Sequence, residues 1–282
     1  MKGGYFLLNG QFYKEQDAVF SLADLHGKAE GISEYFRAEY NEILFSESIS
    51  GHLHQTAQTI GMDLTEVVGS HGRQLRRDVS RLLNKNKLYL AARVEIQLFP
   101  SGDRLNCVLF ASEMARGYYP VQDPGLILSF YDSQLKDIRA TPSFCADGLF
   151  LWQEARRKAK ELQRPNMILL NRDGSCCESI GGSFALLNKD CVVFPAAASG
   201  GYRCAIRNEV ERSVREAGFS SEERENIKPE ELLEAEELFL FDACHGVEKV
   251  LGLEDRRYYS TKTDLIARRL SELARKDREE RV

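Results

Sequence analysis

The N-terminal part of the chain alternates apolar with polar positions, as half-buried β-strands do. The dipeptide Asn9-Gly10 separates Tyr5 to Leu8 from Gln11 to Tyr13, and this arrangement predicts a β-hairpin. The same alternation predicts further strands at 31–40, 43–45, 88–99 and 105–112. Apolar residues at helical spacing predict two helices, at 48–60 and 63–83. This part of the chain is therefore of the α+β type.

A stretch that contains proline and glycine, from Gly117 to Gly125, is typical of a linker. The pattern after it predicts strands at 126–131, 167–170, 183–187, 191–194 and 237–241. Helices are predicted at 150–162, 206–217, 228–235 and 263–276. We therefore divide the sequence into an N-terminal domain (residues 1–118), a linker (residues 119–125) and a C-terminal domain (residues 126–282).

Charge and cysteine content narrow the class of protein. The 282 residues carry a formal charge of −5, which disfavours nucleic-acid binding because that needs a basic face. The seven cysteines contain no CxxC motif, and this favours reduced thiols in a cytoplasmic protein. No apolar run approaches the ~20 residues that a membrane-spanning helix needs. His52 and His54 are two residues apart on a predicted helix and share no face, so we predict no metal site.

Several motifs together point to one family. Residues 167–178 combine a short apolar strand with Asn171, Asp173-Gly174 and Glu178, and this segment resembles the N-x-D-G-x-x-x-E signature of the class IV aminotransferases. Those enzymes are the fold-type IV pyridoxal-phosphate enzymes, which include D-amino-acid and branched-chain aminotransferases and aminodeoxychorismate lyases. Three other segments resemble the same family in the same order, namely 34–37, 199–207 and 229–240.

The resemblance implies a fold, a cofactor and an assembly. The expected fold is α+β with two domains, a small N-terminal α/β sandwich and a larger C-terminal domain that is barrel-like and carries helices. The expected cofactor is pyridoxal phosphate, held by a lysine Schiff base. Family members are dimers, so a homodimer is expected. Glu178 occupies the position of the carboxylate that keeps the pyridine nitrogen protonated.

The position of the catalytic lysine departs from the family pattern. The family motif D-I-K corresponds here to Asp137-Ile138-Arg139, whereas an ungapped count from the next helix reaches Thr141. There is no lysine between Lys136 and Lys158, and arginine stays protonated and forms no Schiff base. Lys136 is a candidate displaced lysine, although it lies an odd number of residues early, which on a regular strand reverses the face of the side chain.

The positions of the phosphate anchors differ as well. The family's anchoring arginine falls on His52, and the threonine before a helix falls on Ile206, next to Ala205. A later hydroxyl residue falls on Ala243, beside Asp242, whose negative charge would oppose a phosphate. Backbone N–H groups at the helix that follows Ile206 remain available to an anion. The residues therefore argue against the cofactor that the resemblance implies.

Three functions follow from these observations. The first is an aminotransferase-like protein with a degenerate cofactor site and no ordinary transaminase activity, which binds a small carboxylate in the former cofactor cleft through Arg139. The second is an active aminotransferase or aminodeoxychorismate lyase that uses Lys136. The third is an enzyme without pyridoxal phosphate that reuses the cleft with Arg139 and Glu178.

Overall fold

The computed structural model describes residues 4–17, 19–21, 24, 27–28, 31–138 and 145–281, with only the backbone at 145–149. The chain divides into two compact units, Met1–Tyr118 with Lys276–Val282, and Tyr119–Arg275. The sequence-based division had placed Lys276–Val282 in the C-terminal domain. No helix in the described ranges is both long enough and apolar enough to span a membrane.

Unit 1 contains an antiparallel six-stranded sheet in the order β2-β1-β6-β5-β3-β4. Its strands are β1 (Tyr5–Leu8), β2 (Gln11–Lys14), β3 (Ile32–Glu39), β4 (Glu42–Ile43), β5 (Ala91–Ser101) and β6 (Arg104–Glu113). Its helices are α1 (Ser46–Thr59) and α2 (Arg73–Asn86). The alternation along β5 buries Val94, Ile96 and Leu98, and the helical spacing along α2 buries Leu75 and Val79.

The helix predicted at 63–83 is shorter in the structure and begins at Arg73. Gly69 and Gly72 have φ values of 78° and 70°, and His71 between them has 52°, so the backbone leaves the right-handed helical region there. Leu64 and Val68 are nevertheless buried. The helical spacing therefore predicted the burial of these two side chains correctly, but they are buried from a non-helical segment.

Unit 2 contains a nine-stranded mixed sheet, in the order β12-β11-β10-β13-β14-β7-β8-β9 with β15 paired to β14. Its strands are β7 (Leu126–Lys136), β8 (Met167–Asn171), β9 (Cys176–Ser179), β10 (Ser183–Asn188), β11 (Cys191–Pro195), β12 (Ser220–Arg224), β13 (Glu237–Asp242), β14 (Gly246–Leu253) and β15 (Arg256–Arg257). Its helices are α3 (Cys145–Glu161), α4 (Arg207–Glu216), α5 (Pro229–Glu234) and α6 (Thr261–Glu279), the last of which ends in unit 1.

One apolar cluster of unit 2 lies on one face of this sheet. Phe184, Leu240 and Val250 come from three neighbouring strands and pack there with Leu232 of α5 and Ile168 of β8. Four strands of this sheet were missed by the sequence patterns, namely β9, β12, β14 and β15. β12 has no apolar residue and is held by parallel backbone pairing with β11, and in β14 the pair Glu248-Lys249 interrupts the apolar positions.

Candidate functional site

The centre of the site is Glu178, a fully buried carboxylate on β9. Its Oε1 accepts a hydrogen bond from Trp152 Nε1 at 2.8 Å, and its Oε2 accepts one from the backbone N–H of Tyr202 at 2.6 Å. The Nζ of Lys136 also donates to Oε2 and forms an ion pair with it. The exposed fraction of the Lys136 side chain is 7%, so both charges of the pair are buried.

The position of Lys136 follows from an irregularity in β7. Tyr131 pairs with Leu169 and Lys136 pairs with Asn171, so five steps along β7 correspond to two steps along β8. β7 therefore accommodates three extra residues within the exposed segment 132–135. Because side chains alternate between faces, an odd number of extra residues turns Lys136 to the side of Glu178. The expectation for Lys136 concerned its face relative to residue 139, which lies outside the residues that the structure describes.

The β8–β9 turn holds Glu178 in place through Asn171. The Asn171 Oδ1 accepts hydrogen bonds from the backbone N–H groups of Asp173 and Ser175 at 3.0 and 2.9 Å. Its Nδ2 donates to the carbonyl of Ser199 at 3.0 Å. Asn171 thus fixes its own turn and ties it to the loop that carries Tyr202. The motif that pointed to Glu178 in the sequence therefore has a structural cause.

Close approach of this loop to β9 requires Gly201. A Cβ at residue 201 would lie 2.0 Å from the carbonyl oxygen of Cys177, so only glycine fits. The contact brings the N–H of Tyr202 to Glu178. The ring of Tyr202 then meets Trp152 edge to face, with centroids 5.5 Å apart, and closes the site from the side of α3.

The two cysteines beside Glu178 are buried thiols whose surroundings disfavour the thiolate. Cys177 is fully buried, and burial, followed by the charge of Glu178, raises the pKa of its thiol well above the ordinary value. Its Sγ donates to the carbonyl of Leu169 at 3.4 Å. Burial likewise raises the pKa of Cys176, which packs in the core of unit 2. Since the thiolate is the nucleophile, neither side chain is prepared for chemistry.

The predicted anchors in unit 2 have no hydroxyl group. Ile206 is buried and is the N-cap residue of α4, and its apolar side chain leaves that helix end without a side-chain cap. Ala205 is half-buried, and Ala243 is buried with its carbonyl accepting a hydrogen bond from Tyr119 Oη at 3.2 Å. Any anion bound here would depend on backbone N–H groups and on charges nearby.

Arg207, the first residue of α4, already has carboxylate partners. A cavity of about 200 Å³ in unit 2 is lined by Cys177, Tyr202 and Arg207, among others. Arg207 Nε donates to Glu211 at 2.6 Å, and an Nη donates to Glu223 at 3.0 Å. Its guanidinium also stacks on Phe194, 3.9 Å from the ring centroid. The two carboxylates already balance the positive charge of Arg207.

His52, the remaining predicted anchor, belongs to unit 1. Its Nε2 lies 3.1 Å from Glu34 Oε1, and both side chains are buried. Arg139 and Thr141, the two candidates for the lysine position, lie outside the residues that the structure describes. Of the predicted site residues, the structure brings Lys136 and Glu178 into contact.

A second polar cluster escaped the sequence analysis. Asp242 Oδ1 accepts hydrogen bonds from the N–H groups of Cys244 and His245, and its Oδ2 lies 2.9 Å from His245 Nδ1. Burial would raise the pKa of Asp242, but the hydrogen bond and charge of His245 hold it below its usual value. Burial, followed by the charge of Asp242, raises the pKa of nearby Glu248 to about 7. The sequence patterns did not predict this cluster, because its three side chains come together only when β13 and β14 form a hairpin.

Comparison with known proteins identifies the family. The family model for amino-transferase class IV matches residues 31–252. The chain belongs to the class IV aminotransferases. The fold-type IV architecture expected from the motifs is therefore confirmed, an α+β fold whose larger sheet curls into a half-barrel. No curated protein matches the chain in sequence.

Solved structures of aminotransferases share this fold at low sequence identity. A branched-chain aminotransferase from Thermoproteus uzoniensis with norvaline is 16% identical, with a TM-score of 0.82 over 98% of this chain and 97% of that one. A branched-chain aminotransferase from Escherichia coli is 15% identical, with a TM-score of 0.79 over 94% and 92%. A hypothetical aminotransferase from Mycobacterium tuberculosis, in an α-ketoglutarate and PMP bound form, is 14% identical, with a TM-score of 0.81 over 97% and 100%.

The buried ion pair makes a prediction about stability. Replacing Lys136 with methionine leaves Glu178 charged and buried without its cation, which we expect to lower the free energy of unfolding by about 3–5 kcal/mol. A Lys136→Met/Glu178→Gln double variant should lose less than the sum of the two single variants, as a double-mutant cycle in urea would measure. Lys158→Met, at a lysine whose side chain is about half exposed, is the control and should change stability by less than about 0.5 kcal/mol. Additive losses would contradict the pairing.

Proposed function

We propose that this class IV aminotransferase homologue has a degenerate cofactor site and has no ordinary transaminase activity. The observation that carries the proposal is the ion pair between Lys136 and Glu178. In a pyridoxal-phosphate site of this family, the carboxylate at this position bonds the ring nitrogen. Here Lys136, Trp152 and Tyr202 supply three donors to its two oxygens. A protonated ring nitrogen would have to displace the lysine.

The location of the lysine amine supports the same conclusion. The ring nitrogen and the aldehyde carbon of pyridoxal phosphate lie at opposite ends of the pyridine ring. An amine bonded to Glu178 therefore stands at the nitrogen end, away from the carbon that a catalytic lysine attacks. The sequence contains no other lysine from 137 to 157, and Arg139 cannot form a Schiff base.

The anchors add a third argument. Ile206 and Ala243 offer no hydroxyl to a phosphate, Arg207 is engaged by two carboxylates, and the imidazole of His52 lies against Glu34. Asp242 adds a negative charge beside Ala243. The described residues therefore argue against pyridoxal phosphate as the ligand of this site.

We propose a small carboxylate as the ligand of the site. Arg139 would provide the permanent cation, because a guanidinium binds a carboxylate through two parallel hydrogen bonds. The homodimer expected from the family and the cytoplasmic location expected from the cysteines remain part of this proposal.

Lys136 also supports one competing function, an active enzyme with a displaced lysine, because its amine is buried at the site. The two functions differ in one observable, a covalent bond between pyridoxal phosphate and Lys136. That bond would require Lys136 to leave Glu178 and the ring to bind in another orientation.

Reduction with borohydride separates the two functions. Protein mixed with pyridoxal phosphate and freed of excess should show no absorbance band near the visible edge. After reduction, peptide mass mapping should find no phosphopyridoxyl group on Lys136. A band that persists in Lys158→Ala but is lost in Lys136→Ala would contradict the proposal and establish the displaced-lysine enzyme.

A ligand screen tests the carboxylate. Small mono- and dicarboxylates, among them 2-oxoglutarate, should raise the melting temperature of the wild-type protein by a few degrees, about what 1 kcal/mol of binding free energy produces. The shift should vanish in Arg139→Gln and persist in Arg157→Gln, at an exposed arginine of α3. An equal shift in both variants would exclude Arg139 as the anchor.

A further inference from the structure

The hairpin between β13 and β14 gathers three side chains of metal-ligand type. Asp242 ends β13, His245 lies in the connecting turn, and Glu248 is near the start of β14. Asp242 pairs with Gly246 and Leu240 pairs with Glu248, so Asp242 and Glu248 project from the same face of the sheet. One potential ligand atom from each of the three side chains lies within 4.8 Å of the other two.

The backbone of this hairpin is held in place from outside the cluster. Tyr119 Oη donates to the carbonyl of Ala243, the first residue of the turn. Gly246 has a φ of 72°, and a Cβ there would lie 2.7 Å from the side chain of Tyr119. Tyr119 therefore packs directly on the turn, which fixes where Asp242, His245 and Glu248 converge. A metal site needs this kind of preorganisation.

The basic group that the described contacts give to this cluster is His245, a member of the cluster itself. Within the described part of the chain, no hydrogen bond or ion pair reaches the carboxylate of Glu248. The ion-pair partner of Asp242 there is His245. Two half-buried carboxylates side by side repel each other and lose hydration. A divalent cation between them would remove both costs.

The donor set selects the class of ion. One imidazole nitrogen and two carboxylate oxygens suit zinc and similar divalent transition ions, whereas magnesium and calcium prefer oxygen ligands alone. Zinc bonds to nitrogen and oxygen are about 2.0–2.2 Å long, which places neighbouring ligand atoms a little over 3 Å apart. Asp242 Oδ2 and His245 Nδ1 are 2.9 Å apart, so small side-chain rotations would open the site to the ion.

We propose that Asp242, His245 and Glu248 bind a divalent transition-metal ion of the zinc class. Three protein ligands leave at least one coordination position to water, as in sites where zinc is exchangeable or catalytic. The proposal does not depend on the proposed function, because none of these residues contacts Lys136 or Glu178 through any described hydrogen bond or ion pair. Its test uses no pyridoxal phosphate, so the two proposals succeed or fail separately.

Titration with Co²⁺ and Zn²⁺ tests the site. The full chain, with any affinity tag removed and metal stripped by a chelator, should bind one Co²⁺ per chain and develop visible absorption typical of histidine-bound cobalt. Zn²⁺ should displace it, and calorimetry should give a dissociation constant in the micromolar range or below.

Matched substitutions decide whether these three residues are the ligands. Asp242→Asn, His245→Gln and Glu248→Gln should each weaken Zn²⁺ binding by at least about tenfold. The controls are His54→Gln in unit 1 and Glu225→Gln at an exposed position, and both should bind as the wild type does. Circular dichroism and melting of the metal-free variants show that the fold is kept. The absence of saturable binding, or binding unchanged in all three variants, would overturn the proposal and leave an Asp–His contact that only shapes the turn.

Discussion

The buried ion pair between Lys136 and Glu178 is the constraint around which the candidate site is built. A carboxylate without exposure is tolerated only when donors surround it, because removing a charge from water costs several kcal/mol. The structure meets this requirement with a lysine ammonium, an indole N–H and a backbone N–H. Each donor depends on a different feature: the three extra residues of β7, the burial of Trp152 on α3, and the contact of Gly201 with β9.

In the proposed function, this arrangement lets the fold persist without the cofactor chemistry of its family. The overall fold is shared with solved aminotransferases at 14–18% identity, since the apolar faces of the strands determine packing. We propose that an internal cation has taken the position on Glu178 that a bound ring nitrogen occupies in relatives, so the buried carboxylate stays paired in the free protein.

Sequence patterns predicted the family fold and singled out Glu178 as a candidate site residue, because both rest on local sequence motifs. The Asn171 turn has a motif, and its hydrogen bonds show why that motif positions Glu178. The orientation of Lys136 was not predictable, because the irregular pairing of β7 appears only when β8 is present as a partner. The start of α2 was predicted too early because Leu64 and Val68 have helical spacing and are buried, although they precede the helix. The cluster of Asp242, His245 and Glu248 forms across two strands, which single-strand periodicity does not report.

The affinity for pyridoxamine phosphate, which carries the pyridine ring but forms no covalent bond to lysine, tests whether Lys136 occupies the ring-nitrogen position on Glu178. If Lys136 occupies the ring-nitrogen position on Glu178, calorimetry should show weak binding or none to the wild type. Lys136→Ala should bind at least about tenfold more tightly, and Lys136→Ala/Glu178→Ala should lose that gain. Tight binding to the wild type that weakens in Lys136→Ala would contradict the account and show that Lys136 supports the cofactor.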